Sequence, residues 1–119
     1  MKALKVSPAT TLYVFAAYLV GLALILLFLP NVLLSIFGIP ATSEVWIRVV
    51  GMVVLEIAIF NIMMARENNT TFYWATIYTR ASVVFFFIAF VVGGLAPASL
   101  ILFGGFDLLG ALWTWYTLR

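Results

Sequence analysis

The sequence LYVFAAYLVGLALILLFL occupies residues 12–29 and contains no charged side chain. An α-helix rises about 1.5 Å per residue, so a helix over 9–29 is long enough to cross the roughly 30 Å of a bilayer's hydrocarbon. A signal peptide has a shorter apolar region and a small-residue cleavage site, and neither is found here. We therefore predict that this segment is a first membrane-spanning helix that stays in the protein.

Three further apolar segments follow, at 43–65, 71–92 and 97–118. Backbone polar groups cannot remain unpaired in lipid, so each of these segments is expected to be helical. The whole chain is 66% hydrophobic and 8% charged, whereas a soluble domain has about 25% charged residues. The prediction is an all-α protein, with residues 1–119 forming a single bundle of four transmembrane helices.

The connections between the spans carry recognisable signals. Residues 32–37 are predicted to form a short helix in the membrane interface, ended by Gly38. Asn69 or Thr70 is predicted to cap the third span, because their side-chain oxygens can accept from free helix N–H groups. Pro97 is predicted to lie in the first turn of the fourth span, where its missing N–H costs nothing.

Lysine and arginine predict the orientation, because cytoplasmic loops carry an excess of both. One side of the membrane receives Lys2, Lys5, Arg66 and Arg119, and the other receives only Arg48. We therefore expect a multi-pass protein of the inner (plasma) membrane with both termini in the cytoplasm. Arg48 is interpreted as an anchor to the lipid headgroups, or else as a residue that lines an entrance from the outer side.

Three ionisable residues lie well inside the predicted spans, where each costs about 2.5–3.5 kcal/mol on insertion. At about 1.5 Å per residue, Glu56, Arg80 and Asp107 lie roughly 15, 13 and 16 Å from the cytoplasmic ends of their helices. We predict that they form a charge cluster facing the bundle interior. Tyr18 of the first span lies at a similar depth and is predicted to donate a hydrogen bond there.

The predicted cluster is compatible with a structural role and with a chemical one. The guanidinium of Arg80 can bind two carboxylates at once and does not release its proton. A proton shared by Glu56 and Asp107 would neutralise the cluster, as acid–base catalysis or proton-coupled transport requires. In the structural interpretation, the same polar groups fix the order and register of the helices.

The composition excludes several classes of site. The chain has no cysteine and no histidine, which removes disulfides, thiolate nucleophiles and the usual zinc, copper and haem ligands. We predict no metal site and no cofactor. The net charge of +2 comes mostly from the chain ends and predicts no binding of nucleic acid. The expected partners are the lipid bilayer, a hydrophobic small molecule, and a second copy or another membrane protein.

Two segments resemble those of DoxX-like proteins, which are small four-helix membrane proteins of bacteria. They are WIRVVG at 46–51 and LFGGFDLLGALWT at 102–114, and the order of segments matches over nearly the whole chain. The resemblance implies a four-helix bundle in a bacterial inner membrane. Some relatives are associated with quinone-linked sulfur oxidation or with the assembly of membrane complexes. The lack of cysteine argues against redox chemistry by this chain's own side chains.

Three functions follow as hypotheses. An accessory or assembly protein of the inner membrane, which we prefer at this stage, predicts a fully paired cluster with no cavity around it. A binding protein or acid–base enzyme for a quinone or lipid predicts an apolar pocket near Glu56 and Asp107, with aromatic walls such as Tyr18, Phe60 or Phe87. A proton-coupled small transporter needs an aqueous path and a homo-oligomer, because four helices leave little room for a pore.

Overall fold

The computed structural model describes residues 6–119, so Lys2 and Lys5 lie outside the described residues. All regular secondary structure in the described residues is helical, and four of the helices are long and apolar enough to cross a membrane. The predicted fold class is therefore confirmed. The helices are α1 (Pro8–Phe28), α2 (Pro30–Ile36), α3 (Trp46–Arg66), α4 (Thr70–Val92) and α5 (Ser99–Leu118).

Two of the long helices begin at side-chain caps. The Ser7 hydroxyl accepts a hydrogen bond of 3.3 Å from the Thr10 N–H, and Pro8 occupies the first helical position of α1. Asn69 caps α4 through its Oδ1, which accepts from the Phe72 N–H at 2.9 Å. The predicted cap at this turn is confirmed, with Asn69 as the residue that forms it.

The chain turns from α1 into the short helix α2 at Pro30. Leu29 leaves the helical conformation with φ −138° and ψ 54°, and Pro30 then starts α2 two residues earlier than predicted. Proline suits this first position because its ring fixes φ and no N–H is needed. Gly38 ends the segment with φ +70°, a left-handed conformation that glycine adopts without strain.

Two other helix starts differ from the prediction. The second span begins at Trp46 instead of near 43, and α5 begins at Ser99 instead of at Pro97. Pro97 lies just before the helix, where its carbonyl accepts from the Leu100 N–H at 3.1 Å. Proline thus supplies an acceptor to the first turn of α5 without being part of it.

The long helices pack as two pairs, α1 along α3 and α4 along α5. Glycine allows the close approach in each pair. A Cβ at Gly51 would lie 2.9 Å from the Leu26 Cβ, and a Cβ at Gly104 would lie 3.1 Å from the Val84 Cα. By contrast, α3 and α4 do not pack along their lengths, although they are consecutive in the chain.

All four long helices meet at one end of the bundle, where α1 begins and α5 ends. Leu12, Ala65 and Tyr73 form a buried cluster there, and Leu118 packs against it. The Tyr73 hydroxyl is 3.0 Å from the Asn68 Oδ1 and 3.3 Å from the Ala65 carbonyl, so it ties α4 to the turn that precedes it. This end of the bundle is therefore closed by packed side chains.

Candidate functional site

Arg80 lies on α4 near the middle of the bundle and is only 4% exposed. Its Nε donates to the Thr76 carbonyl at 3.2 Å, one helical turn earlier. Its Nη2 donates to the hydroxyls of Thr76 at 3.2 Å and Thr114 at 2.8 Å. The guanidinium carbon is 4.4 Å from the centre of the Phe15 ring, a cation–π geometry. Neutral oxygens and an aromatic ring therefore hold this cation.

Thr114 connects the arginine to two further helices. Its hydroxyl lies 2.8 Å from the Thr11 hydroxyl on α1 and 3.2 Å from the Gly110 carbonyl on α5. Gly110 also leaves room for the guanidinium, because a Cβ there would lie 3.1 Å from the Arg80 Nη1. These threonine contacts were not predicted from the sequence. A signal for them in the sequence was Thr76, which precedes Arg80 by one helical turn in an apolar span.

Asp107 lies half-buried on α5 and lines the same cavities as Arg80. Within residues 6–119, no carboxylate forms an ion pair with the arginine, whose hydrogen bonds go to threonines. The prediction placed both residues in one layer, and they do face shared space. The direct contact between them that a paired cluster requires is not formed.

Glu56 is exposed on the outside of the bundle, so the prediction that it faces the interior is wrong. The interior face of α3 is marked by its buried residues Gly51, Ala58, Asn61 and Ala65. Glu56 precedes Ala58 by two positions, which is about 200° around a helix of 3.6 residues per turn. Counting residues gave its depth in the membrane, but the small residues decide which face of α3 packs inward.

A large cavity of about 810 Å³ lies between the two helix pairs. Its walls are mostly aliphatic and aromatic, and they include Tyr18, Phe60 and Phe87, which the ligand hypothesis had named as candidate walls. The polar groups among its walls include Asn61, Thr76, Thr79, Arg80 and Asp107.

Asn61 contributes a buried amide to this cavity wall. The residue is 1% exposed, and its Nδ2 donates to the Ile57 carbonyl of its own helix at 2.8 Å. Its Oδ1 is buried and has no hydrogen-bond partner among the described residues. An unpaired buried acceptor costs about 1–3 kcal/mol, so it calls for an explanation. The side-chain oxygen has almost no accessible surface, so a molecule in the cavity does not contact it in this structure.

A second cavity of about 350 Å³ lies between α1 and α5. Phe15, Tyr18, Arg80 and Asp107 line both cavities, so these four side chains stand between them. Tyr18 packs with its ring centre 6.2 Å from that of Phe15 and 6.5 Å from that of Phe103. The contacts that position Tyr18 are thus aromatic, in contrast to the predicted hydrogen bond.

Helix α2 covers the end of the large cavity away from the closed end of the bundle. Leu33, Leu34 and Phe37 line the cavity from this helix and its end. The Ser99 hydroxyl donates to the Phe37 carbonyl at 2.6 Å, and the rings of Phe37 and Phe103 are 5.0 Å apart. Because α3 and α4 do not pack along their lengths, the side of the cavity between those two helices is not closed by helix packing.

Arg48 lies at the start of α3 and lines neither of these two cavities. Its Nη1 donates to the Leu27 carbonyl near the end of α1. A cation that binds the last carbonyls of a helix also complements the negative end of the helix dipole. This contact is made within the protein, so the interpretations of Arg48 as a headgroup anchor and as an entrance residue both stay predictions.

Comparison with protein families, with characterised proteins and with solved structures gives no match to this chain. The site is therefore interpreted from its own geometry. That geometry combines a large apolar space, one deeply buried cation, one half-buried carboxylate and an unpaired amide oxygen. Such a space can hold an apolar molecule and bind a small polar group at one place on it.

Proposed function

We propose that the protein binds a hydrophobic small molecule of the membrane, a lipid or a lipid-like compound, in the large cavity. The observation that carries this proposal is a cavity of about 810 Å³ with apolar walls around a buried arginine. Sites for small molecules typically measure about 300–1,000 Å³ and combine apolar walls with a few polar groups. The cavity has that size and that composition.

The cavity favours ligand binding over a purely structural role for the polar layer. The accessory-protein hypothesis predicts a fully paired cluster with no cavity around it, and it stays a prediction. The ligand hypothesis predicts an apolar pocket near Glu56 and Asp107 with aromatic walls such as Tyr18, Phe60 or Phe87. Asp107 and the three aromatic residues line the cavity, whereas Glu56 does not. The resemblance to DoxX-like proteins, the quinone as a ligand, the acid–base enzyme and the proton-coupled transporter also stay predictions.

The polar groups and the apolar walls suit an elongated amphiphile. Arg80 and Phe90 both line the cavity from α4, and ten residues of helix correspond to about 15 Å of wall. An apolar chain along that wall buries its surface without losing a hydrogen bond. The polar end of the molecule then lies near Arg80 and Asp107, where a donor and an acceptor line the cavity.

The inner membrane and the cytoplasmic location of both termini are also part of the proposal. They are supported by the distribution of Lys2, Lys5, Arg66 and Arg119 on one side of the membrane and Arg48 on the other. On this orientation the closed end of the bundle is cytoplasmic, and α2 covers the cavity from the outer side.

The proposal is tested by filling the cavity and measuring the binding of radiolabelled oleyl alcohol to the purified protein in a neutral detergent. Val54 lines the cavity, whereas its neighbour Val53 is exposed on the outside of α3. Val54→Phe is expected to lower the amount of bound oleyl alcohol strongly, and Val53→Phe is expected to leave it unchanged. Equal binding by wild type and both variants, or no binding by any of them, would contradict the proposal.

A further inference from the structure

The two charged side chains that line the cavities are unpaired with each other although they face the same space. Arg80 and Asp107 both line the large and the small cavity. Within the described residues, the hydrogen bonds of Arg80 use Nε and Nη2 and go to Thr76 and Thr114, which leaves Nη1 for another acceptor. A cation and an anion that share a cavity without touching leave room for a group that contacts both.

The charges of these two side chains cancel. Arginine keeps its proton in proteins, and Asp107 carries a compensating negative charge when it is ionised. Glu56 faces outward and contributes nothing to the cavity. A ligand head with a net charge would disturb this balance in a region of low dielectric, where an unpaired charge is costly. The electrostatics of the cavity therefore favour an uncharged head.

The hydrogen-bonding groups of the cavity further restrict the head. Arg80 can only donate, whereas an ionised Asp107 can only accept. A head that is both donor and acceptor, such as a hydroxyl or a primary amide, can accept from Arg80 and donate to Asp107. A head with acceptors alone, such as an ester, leaves the carboxylate of Asp107 unsatisfied.

Building on the proposed function, we propose that the ligand is an uncharged amphiphile whose head both donates and accepts hydrogen bonds. Its head lies between Arg80 and Asp107, and its apolar chain extends along the cavity towards Phe90. The lipid reaches the cavity from the bilayer through the side between α3 and α4, where the helices do not pack along their lengths. Arg80 and Asp107 together determine which head the protein selects.

The test compares three probes with the same chain and different heads: oleyl alcohol, oleate and oleylamine. Binding of each is measured to the purified full chain in a neutral detergent, and the Val54→Phe variant gives the background. Each affinity is expressed relative to that of oleyl alcohol and compared between wild type and variant, so that partition of the probe into micelles cancels. Wild type is expected to bind oleyl alcohol about tenfold more tightly than either charged probe, which corresponds to about one hydrogen bond to a charged group.

Removing the negative charge and removing the positive charge should shift the selectivity in opposite directions. Asp107→Asn leaves the positive charge, so relative binding of oleate is expected to rise about tenfold. Arg80→Gln leaves the negative charge, so relative binding of oleylamine is expected to rise by a similar factor. Arg80→Lys keeps the charge and is expected to keep the preference of wild type for the alcohol.

The outcomes separate this proposal from the function on which it rests. If oleyl alcohol binds and Val54→Phe removes it, but selectivity among the heads is the same in wild type and Asp107→Asn, the proposed function stands and the assignment of the head is overturned. A preference of wild type for oleate or oleylamine would also overturn it. Substitution of the deeply buried Arg80 is the change most able to unfold the bundle. Asp107 is only half-buried, so Asp107→Asn provides the decisive comparison.

Discussion

Arg80 shows how a membrane bundle can bury a cation without a contacting carboxylate. Its Nε and Nη2 are bound by two threonines, and its flat face lies on the Phe15 ring. Arginine tolerates such an environment because its charge is delocalised and more weakly hydrated than an ammonium. The arrangement fixes the position of the guanidinium, while its Nη1 has no hydrogen-bond partner among residues 6–119.

Thr114 is expected to be the residue on which this arrangement depends most. Thr114→Val keeps the shape of the side chain but removes the acceptor for Arg80 Nη2 and the contact with the Thr11 hydroxyl. The expected loss of stability is about 1–3 kcal/mol, because a buried donor is left unsatisfied. Thermal unfolding in detergent measures the loss.

Thr117→Val is the matched control for this change. Thr117 is also buried on α5, but its hydroxyl donates at 2.6 Å to the Thr114 carbonyl of its own helix and makes no bond to another helix. A smaller loss of stability is therefore expected. An equal loss in the two variants would mean that the threonine bonds between helices contribute little.

Glu56 is expected to contribute nothing to the stability of the single bundle. It faces outward at mid-helix, where an ionised group is costly in hydrocarbon. Glu56→Gln should therefore unfold at the same temperature as wild type or a higher one, whereas Arg80→Gln should unfold at a clearly lower temperature. A large loss on Glu56→Gln would instead indicate that Glu56 has a partner outside the bundle, such as a second copy.

At the scale of helices, the close approach of α4 and α5 depends on Gly104. A Cβ at Gly104 would lie 2.9 Å from the Phe87 Cδ2 and 3.1 Å from the Val84 Cα, and backbone cannot move aside easily. Gly104→Ala is expected to destabilise the protein by about 1–3 kcal/mol through overpacking. Gly105→Ala is the matched control, because a Cβ at the next residue meets nothing within 4 Å. Stability of the two variants in detergent is compared, and a loss confined to Gly105→Ala would contradict the expectation.

Helix α2 is expected to slow the exchange of a bound molecule. The hydrogen bond of 2.6 Å from the Ser99 hydroxyl to the Phe37 carbonyl holds the end of α2 to the start of α5. Ser99→Ala removes it, which is expected to cost roughly 0.5–1.5 kcal/mol and speed release of oleyl alcohol by a few-fold. Ser82→Ala is the control, since Ser82 donates only to the Thr79 carbonyl of its own helix. Equal release rates in both variants and wild type would show that α2 does not retain the molecule.

At the scale of the whole molecule, the features that could be predicted from the sequence are those set by residues close together along the chain. Apolar length gave the four spans, and Asn69 and Gly38 marked where helices start or end, whereas the starts of α2, α3 and α5 differ from the prediction. The face presented by Glu56 was not predictable from its depth, because rotation of α3 is set by packing against α1. The cavity was not predictable either, since its volume depends on how far two helix pairs stand apart.

The orientation of the whole bundle can be tested because the chain contains no cysteine. A single introduced cysteine is then the only thiol, and a membrane-impermeant maleimide reports which side it faces. Ser43 lies exposed in the loop before α3, and Glu67 lies exposed in the turn between α3 and α4, so the two positions are at opposite ends of α3.

The experiment uses cells whose plasma membrane is intact and whose outer layers have been removed. Ser43→Cys is expected to react with the impermeant reagent in these cells, and Glu67→Cys only after the plasma membrane is permeabilised. The reason is the excess of Arg66 and Arg119 at the closed end of the bundle, which favours the cytoplasmic side. The reverse pattern would place the closed end outside and the α2 side of the cavity towards the cytoplasm. The open side between α3 and α4 faces the bilayer in either orientation, so the pattern decides only which leaflet lies nearer to α2. On the proposed function, that is the leaflet from which a lipid enters most directly.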